Sequence, residues 1–169
     1  RGVDLEVPRG CVTALLGRNG GGKSTLVKII TGLAARDAGE ARVLGRDPEA
    51  LGPAERERIA LVSDASGAWT GTRVSDELAL FRRLRGARWD EARARELVER
   101  FELPLHKRLG ALSRGMQARL RLVTALAADP ELLLLDEPAL GLDLFARHDL
   151  LDAIIETVEK EGRGVLVVS

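Results

Sequence analysis

The sequence predicts an α/β fold with a mainly parallel sheet and an inserted helical subdomain. Three observations carry that expectation: strand and helix patterns alternate in the first half, several helical spacings then follow one another, and apolar strand runs resume near the end. Strands separated by helices must cross over before they pair, which gives parallel sheets covered on both faces. At 169 residues and 45% hydrophobic content, the chain is the size of one domain with a sizeable core.

The elements follow in order. Val3, Leu5 and Val7 alternate with polar residues as a half-exposed strand does, and 12–16 reads as a buried strand ending at Gly17. A helix is expected over 23–31 and a strand over Ile59–Ser63. Val74, Leu78, Phe81 and Leu84 recur at helical spacing, as do Ala94, Leu97, Val98 and Phe101 behind a possible Asp90 cap. The helical subdomain is therefore placed at about 73–128. Residues 132–135 resume the buried strands, 144–160 reads as a helix, and 165–168 is the last strand.

Charge is balanced, with 26 Lys plus Arg against 26 Asp plus Glu, so no net basic field draws in nucleic acid and none is expected as a partner. The single cysteine, Cys11, cannot form an internal disulfide, which suits a reducing compartment and places the expectation in the cytoplasm. The apolar runs fall far short of the ~20 residues that span a bilayer. Any membrane role must then pass through a partner.

Two stretches carry chemistry. "LLGRNGGGKST" fits G-x-x-x-x-G-K-[ST] through Gly17, Gly22, Lys23 and Ser24, between a predicted strand and a predicted helix, and so points to a P-loop NTPase core. Glycines, with Asn19 and Gly20 in the turn, let backbone N–H groups point at phosphate oxygens, and the helix adds its positive end. Lys23 would reach the β and γ phosphates of ATP, Ser24 would offer its hydroxyl to Mg²⁺, and Thr25 could bond the α phosphate. "LLLLDEP" then sets Asp136 and Glu137 at the end of a buried strand, where ligands of open parallel sheets collect. Asp136 would hold Mg²⁺, and Glu137 would accept a proton from, or orient, the attacking water. The plain alternatives are a glycine-rich turn with a chance lysine and a strand that meets polar residues as it leaves the core. Each loses weight beside the other motif.

With "ALSRGMQARLRLVTALAADPELLLLDEPALGLD" the chain resembles the ATP-binding cassette (ABC) family, and in particular a branch of bacterial ABC-2-type exporter ATPases with "SKGM"-like signatures. Leu112, Ser113 and Gly115 match positions one, two and four of its L-S-G-G-Q signature, followed by the acidic strand end and the "ALGLD" loop. The resemblance implies a head-to-tail dimer with a second ABC ATPase subunit, in which each ATP lies between the phosphate loop of one subunit and Ser113 and Gly115 of the other. It also implies an integral membrane permease as partner and a place on the cytoplasmic side of the membrane. Ser113 also fits an ordinary N-cap, and Asp143 fits either a cap or a contact to the partner subunit.

Three departures from the family pattern stand out. Arg114 and Met116 replace a glycine and the glutamine of the signature. Asp64 stands where the family carries a glutamine, and as a hard oxygen donor it is expected to contact Mg²⁺ and share in catalysis. The adenine-stacking aromatic and the switch histidine are missing. His106 and His148 do not occupy the switch position, and the resemblance implies a histidine directly after Ser169 and truncation at both ends. The isolated segment is accordingly expected to bind nucleotide weakly and turn it over slowly. Trp69, in the loop where such domains meet their membrane partner, fits an exposed anchor or a ring folded under the loop. The arginines at 82, 83, 85 and 88 fit a solvated face paired with Glu91, Glu96 and Glu99 better than a lipid contact.

The expected function is ATP hydrolysis that powers an exporter. A DNA-maintenance ATPase of this family would need long coiled-coil insertions and is disfavoured by the absence of sustained heptads. A ribosome-associated protein with two cassettes and a non-hydrolysing binder remain as alternatives.

Overall fold

The computed structural model describes residues 2–63, 70–139, 142–159 and 162–169. Four strands among them, β1 (Val12–Leu15), β2 (Ile59–Ser63), β3 (Leu132–Asp136) and β4 (Gly164–Val168), form one sheet in the order β1-β4-β3-β2. Every neighbouring pair is parallel, so all four strands end on one edge. A single row of partners crosses the sheet there: Leu15 beside Val168, Val168 beside Asp136, Asp136 beside Ser63.

The described residues hold six α-helices: α1 (Lys23–Ile30), α2 (Pro53–Arg56), α3 (Val74–Arg85), α4 (Glu91–Arg100), α5 (Arg114–Leu126) and α6 (Leu144–Glu159). Side chains alternate across β3 and β4, and the two faces feed different clusters. Leu133, Leu135 and Val165 pack with Leu97 of α4, Phe101 at its end, Val123 of α5 and Ala153 of α6. Leu134, Leu166 and Val168 pack with Val27 of α1 and with Leu51 and Ile59. Burial on both faces explains why these strands read as unbroken apolar runs. The three helices α3 to α5 fall between β2 and β3, where the inserted helices were expected.

Two expectations fail at the start of the chain. Residues 3–7 form no strand, and 12–16 is not a buried one: β1 stops at Leu15 on the sheet edge, with Val12 47% and Leu16 75% exposed. The alternation of Val3, Leu5 and Val7 is real, since all three line one apolar groove with Leu26, Ile30 and Leu132. Residues 3–7 join no ladder with a described strand, so their alternation serves the packing of that groove instead.

Helix ends and ion pairs fix the helical layer. Asp90 caps α4, its carboxylate accepting from Arg93 N–H at 2.9 Å. Arg93 and Arg100 of α4 both bond Glu156 of α6, and Arg100 also reaches Asp152 at 2.9 Å. Burial alone would raise the Glu156 carboxyl, but hydrogen bonds from the two guanidiniums outweigh it and hold it below the ordinary range. A carboxyl depressed on folding stabilises above its unfolded pKa, and that contribution is lost as pH falls through the folded value. Glu156→Gln should therefore lower the urea midpoint at neutral pH, and the gap to the wild type should close below about pH 4.3. Leu133→Ala, at a fully buried position facing the larger cluster, should cost about 2–5 kcal/mol in the same titration at any pH.

Candidate functional site

The phosphate loop begins where β1 leaves the sheet. Gly17 N–H donates to Ser169 O at 3.1 Å, which ties the loop to the end of β4. Asn19 and Gly20 form the turn, and Gly22 caps α1 with φ +88°, a conformation that a side chain would strain. No side chain occupies this cap. The first-turn N–H groups of α1, flanked by the exposed Ser24 and Thr25, are thus left to an anion. Lys23, its side chain only 10% exposed, folds back along the loop, with Nζ donating to Gly17 O at 2.6 Å and Arg18 O at 3.2 Å.

The acidic strand end meets this loop across β4. Asp136 sits in the register row beside Val168, and its Oδ1 is buried without a hydrogen-bond partner among the described residues. A buried orphan oxygen is costly and fits a site built for a cation. Glu137 follows with φ +50°, rare for a residue with a side chain, and its N–H donates to Val168 O at 2.8 Å. Its Oε1 stands 3.9 Å from Lys23 Nζ, and its Oε2 accepts from Ser169 Oγ at 3.2 Å. Lys23, Asp136 and Glu137, far apart in sequence, therefore share one edge. The sequence gives Ser169 no role at the site, only a place before the expected histidine. Its place at the end of a parallel strand was the available signal.

The signature residues lie elsewhere. Ser113 caps α5, its Oγ accepting from Met116 N–H at 3.2 Å, and Asp143 caps α6, its Oδ1 accepting from Ala146 N–H at 2.8 Å. These two helix starts touch: a Cβ on Gly115 would stand 3.7 Å from Asp143 Oδ2 and 3.7 Å from Ala146 Cβ. Among the described residues no hydrogen bond or ion pair joins Ser113 or Gly115 to the phosphate loop. The sequence expectations for Asp64 and Trp69 lie outside the described residues. His106 and His148 are exposed, and the latter's Nδ1 is 3.5 Å from Asp152.

Comparison with known proteins finds similar chains and a similar fold. The family model described as ABC transporter matches residues 1–140. The daunorubicin/doxorubicin resistance ATP-binding protein DrrA of Streptomyces peucetius is 36% identical over 172 residues, covering 99% of this chain and 52% of the relative. The Nod factor export ATP-binding protein I of Rhizobium etli is 39% identical over 150 residues, covering 86% of this chain and 48% of the relative. A solved structure described as the ATP binding subunit of an ABC transporter superposes with TM-score 0.85 at 30% identity, covering 98% of this chain and 70% of that one. The chain spans about half the length of these two sequence relatives.

The loop geometry makes one glycine testable. A Cβ on Gly21 would meet the backbone oxygen of Arg18 at 2.9 Å, a contact that only a backbone shift relieves. Gly21→Ala should weaken binding of a non-hydrolysable ATP analogue about tenfold or more by calorimetry. The melting temperature without nucleotide should change little, because the position is exposed.

Proposed function

The chain belongs to the ABC transporter ATP-binding family, and on that premise we propose that it is the ATP-binding and ATP-hydrolysing core of a subunit that powers a membrane exporter. One observation supports the catalytic part of this reading most directly: Lys23, Asp136 and Glu137 converge at the strand ends beside an uncapped helix start. That edge can hold a polyphosphate, a cation and a water together.

In this reading Lys23 turns from the carbonyls of Gly17 and Arg18 to the β and γ phosphates of ATP. Loop N–H groups and the start of α1 take the remaining phosphate charge, with Ser24 and Thr25 alongside. Ser24 and Asp136 are hard oxygen donors suited to Mg²⁺, the orphaned Asp136 oxygen above all, and Asp64 is proposed to join them. Mg²⁺, when bound, would neutralise charge that develops on the β and γ phosphates. Glu137 orients the attacking water and accepts its proton.

Ser113 and Gly115 are proposed to meet the γ phosphate of a second subunit's ATP, completing two composite sites in a head-to-tail dimer. Ser113 keeps its capping bond in that role, since a capping hydroxyl retains acceptor and donor capacity. Preferential binding of ATP to the closed dimer would supply the driving energy. Helices within 73–128 form the proposed signalling subdomain that passes the motion to a permease on the cytoplasmic face. No helix among the described residues is long and apolar enough to cross a membrane.

The test is Glu137→Gln in the intact protein with its membrane partner. Turnover should fall by about a hundredfold or more, while an ATP-bound dimer accumulates on size exclusion. Unchanged turnover would remove Glu137 from the reaction. Purification from membranes should bring an integral protein with the ATPase, whereas sedimentation with ribosomes would defeat the transport assignment.

A further inference from the structure

We infer that Ser169 is a positioning residue for the Glu137 carboxylate, holding it off the Lys23 ammonium so that it stays available to the attacking water. This rests on the reading of Glu137 as the group that acts on that water.

Ser169 is fixed at three points. Its N–H donates to Leu15 O at 3.0 Å, its carbonyl accepts from Gly17 N–H at 3.1 Å, and its hydroxyl donates to Glu137 Oε2 at 3.2 Å. The first two bonds set its backbone between β1 and the phosphate loop, so the hydroxyl is presented from a rigid base. The Glu137 backbone is equally held, by Val168 O and by the end of β3. What remains free is the rotation of the Glu137 side chain, which is 33% exposed.

Two groups compete for that carboxylate. Lys23 Nζ lies 3.9 Å from Oε1, inside attractive range but beyond hydrogen-bond distance. Closure of that gap would draw the lysine away from phosphate and turn the carboxylate from the space a water must enter. The Ser169 hydroxyl anchors the other oxygen toward β4. One oxygen is then engaged by a neutral donor, and the lone pairs of the other stay open. Serine suits this task because its short side chain reaches one oxygen without adding charge.

The experiment uses the intact protein with its membrane partner and compares Ser169→Ala, Ser169→Thr and each change in the Glu137→Gln background. Ser169→Ala keeps both backbone bonds, so melting temperature and KM for ATP should hold while kcat falls about tenfold. Ser169→Thr, which keeps the hydroxyl, should restore most of the rate. In the Glu137→Gln background, Ser169→Ala should change single-turnover hydrolysis by less than about twofold, because the group it positions is gone. An unchanged kcat in Ser169→Ala, failure of threonine to rescue, or an equal loss in both backgrounds would each overturn the inference. Full turnover in Glu137→Gln would overturn the catalytic reading beneath it, so the two failures are told apart.

Discussion

Parallel pairing of β4 with both β1 and β3 is the constraint from which the site is built, because it brings Leu15, Val168 and Asp136 into one row. The phosphate loop starts beyond the first of these, Ser169 beyond the second and Glu137 beyond the third. A slip of one residue in β3 would turn Asp136 toward the opposite face and its leucines with it. Leu133, Leu134, Leu135, Val165, Leu166 and Val168 are all fully buried. Each contributes about 1.5–3 kcal/mol by burial, so the register is held by packing far more strongly than any site contact could hold it.

That stability is what the site draws on. Glu137 keeps a left-handed backbone, which costs on the order of 1–3 kcal/mol at a residue with a side chain. Asp136 buries an oxygen with no partner, a further penalty of about 1–3 kcal/mol. Neither is relieved locally, and both stand where chain and ligand would meet. A cation bound at the strand end would relieve the second, by giving the Asp136 oxygen a partner. Unfavourable terms that a ligand removes make its binding more favourable than the contacts alone suggest.

Periodicity made most of the elements legible. Ile59–Ser63 is a strand at its expected bounds, and the Asp90 and Ser113 caps form the bonds their sequence positions imply. The motifs also named Lys23, Asp136 and Glu137, since glycine spacing and a strand followed by two acids are local features. Edge position is not local. The apolar run at 12–16 has the composition of a buried strand, yet its exposure depends on which strands lie beside it. Ser169 is named in the sequence only as the residue before an expected histidine, because nothing adjacent to it indicates Glu137 and only the β4 register brings the two together.

The helix starts at Ser113 and Asp143 were each open to two readings, and the capping geometry joins them. Gly115 lies against Asp143 and Ala146, so the starts of α5 and α6 are packed as one piece. Arg119 of α5 bonds Asp149 of α6 at 2.8 Å, and Arg93 and Arg100 of α4 bond Glu156 one turn or more further along. Partly exposed ion pairs add little stability individually, about 0–1 kcal/mol. Their effect is on orientation, since each bond fixes the angle between helices that the apolar core would let slide. In the proposed dimer, a force on Asp143 from the partner subunit would therefore move α4, α5 and α6 together.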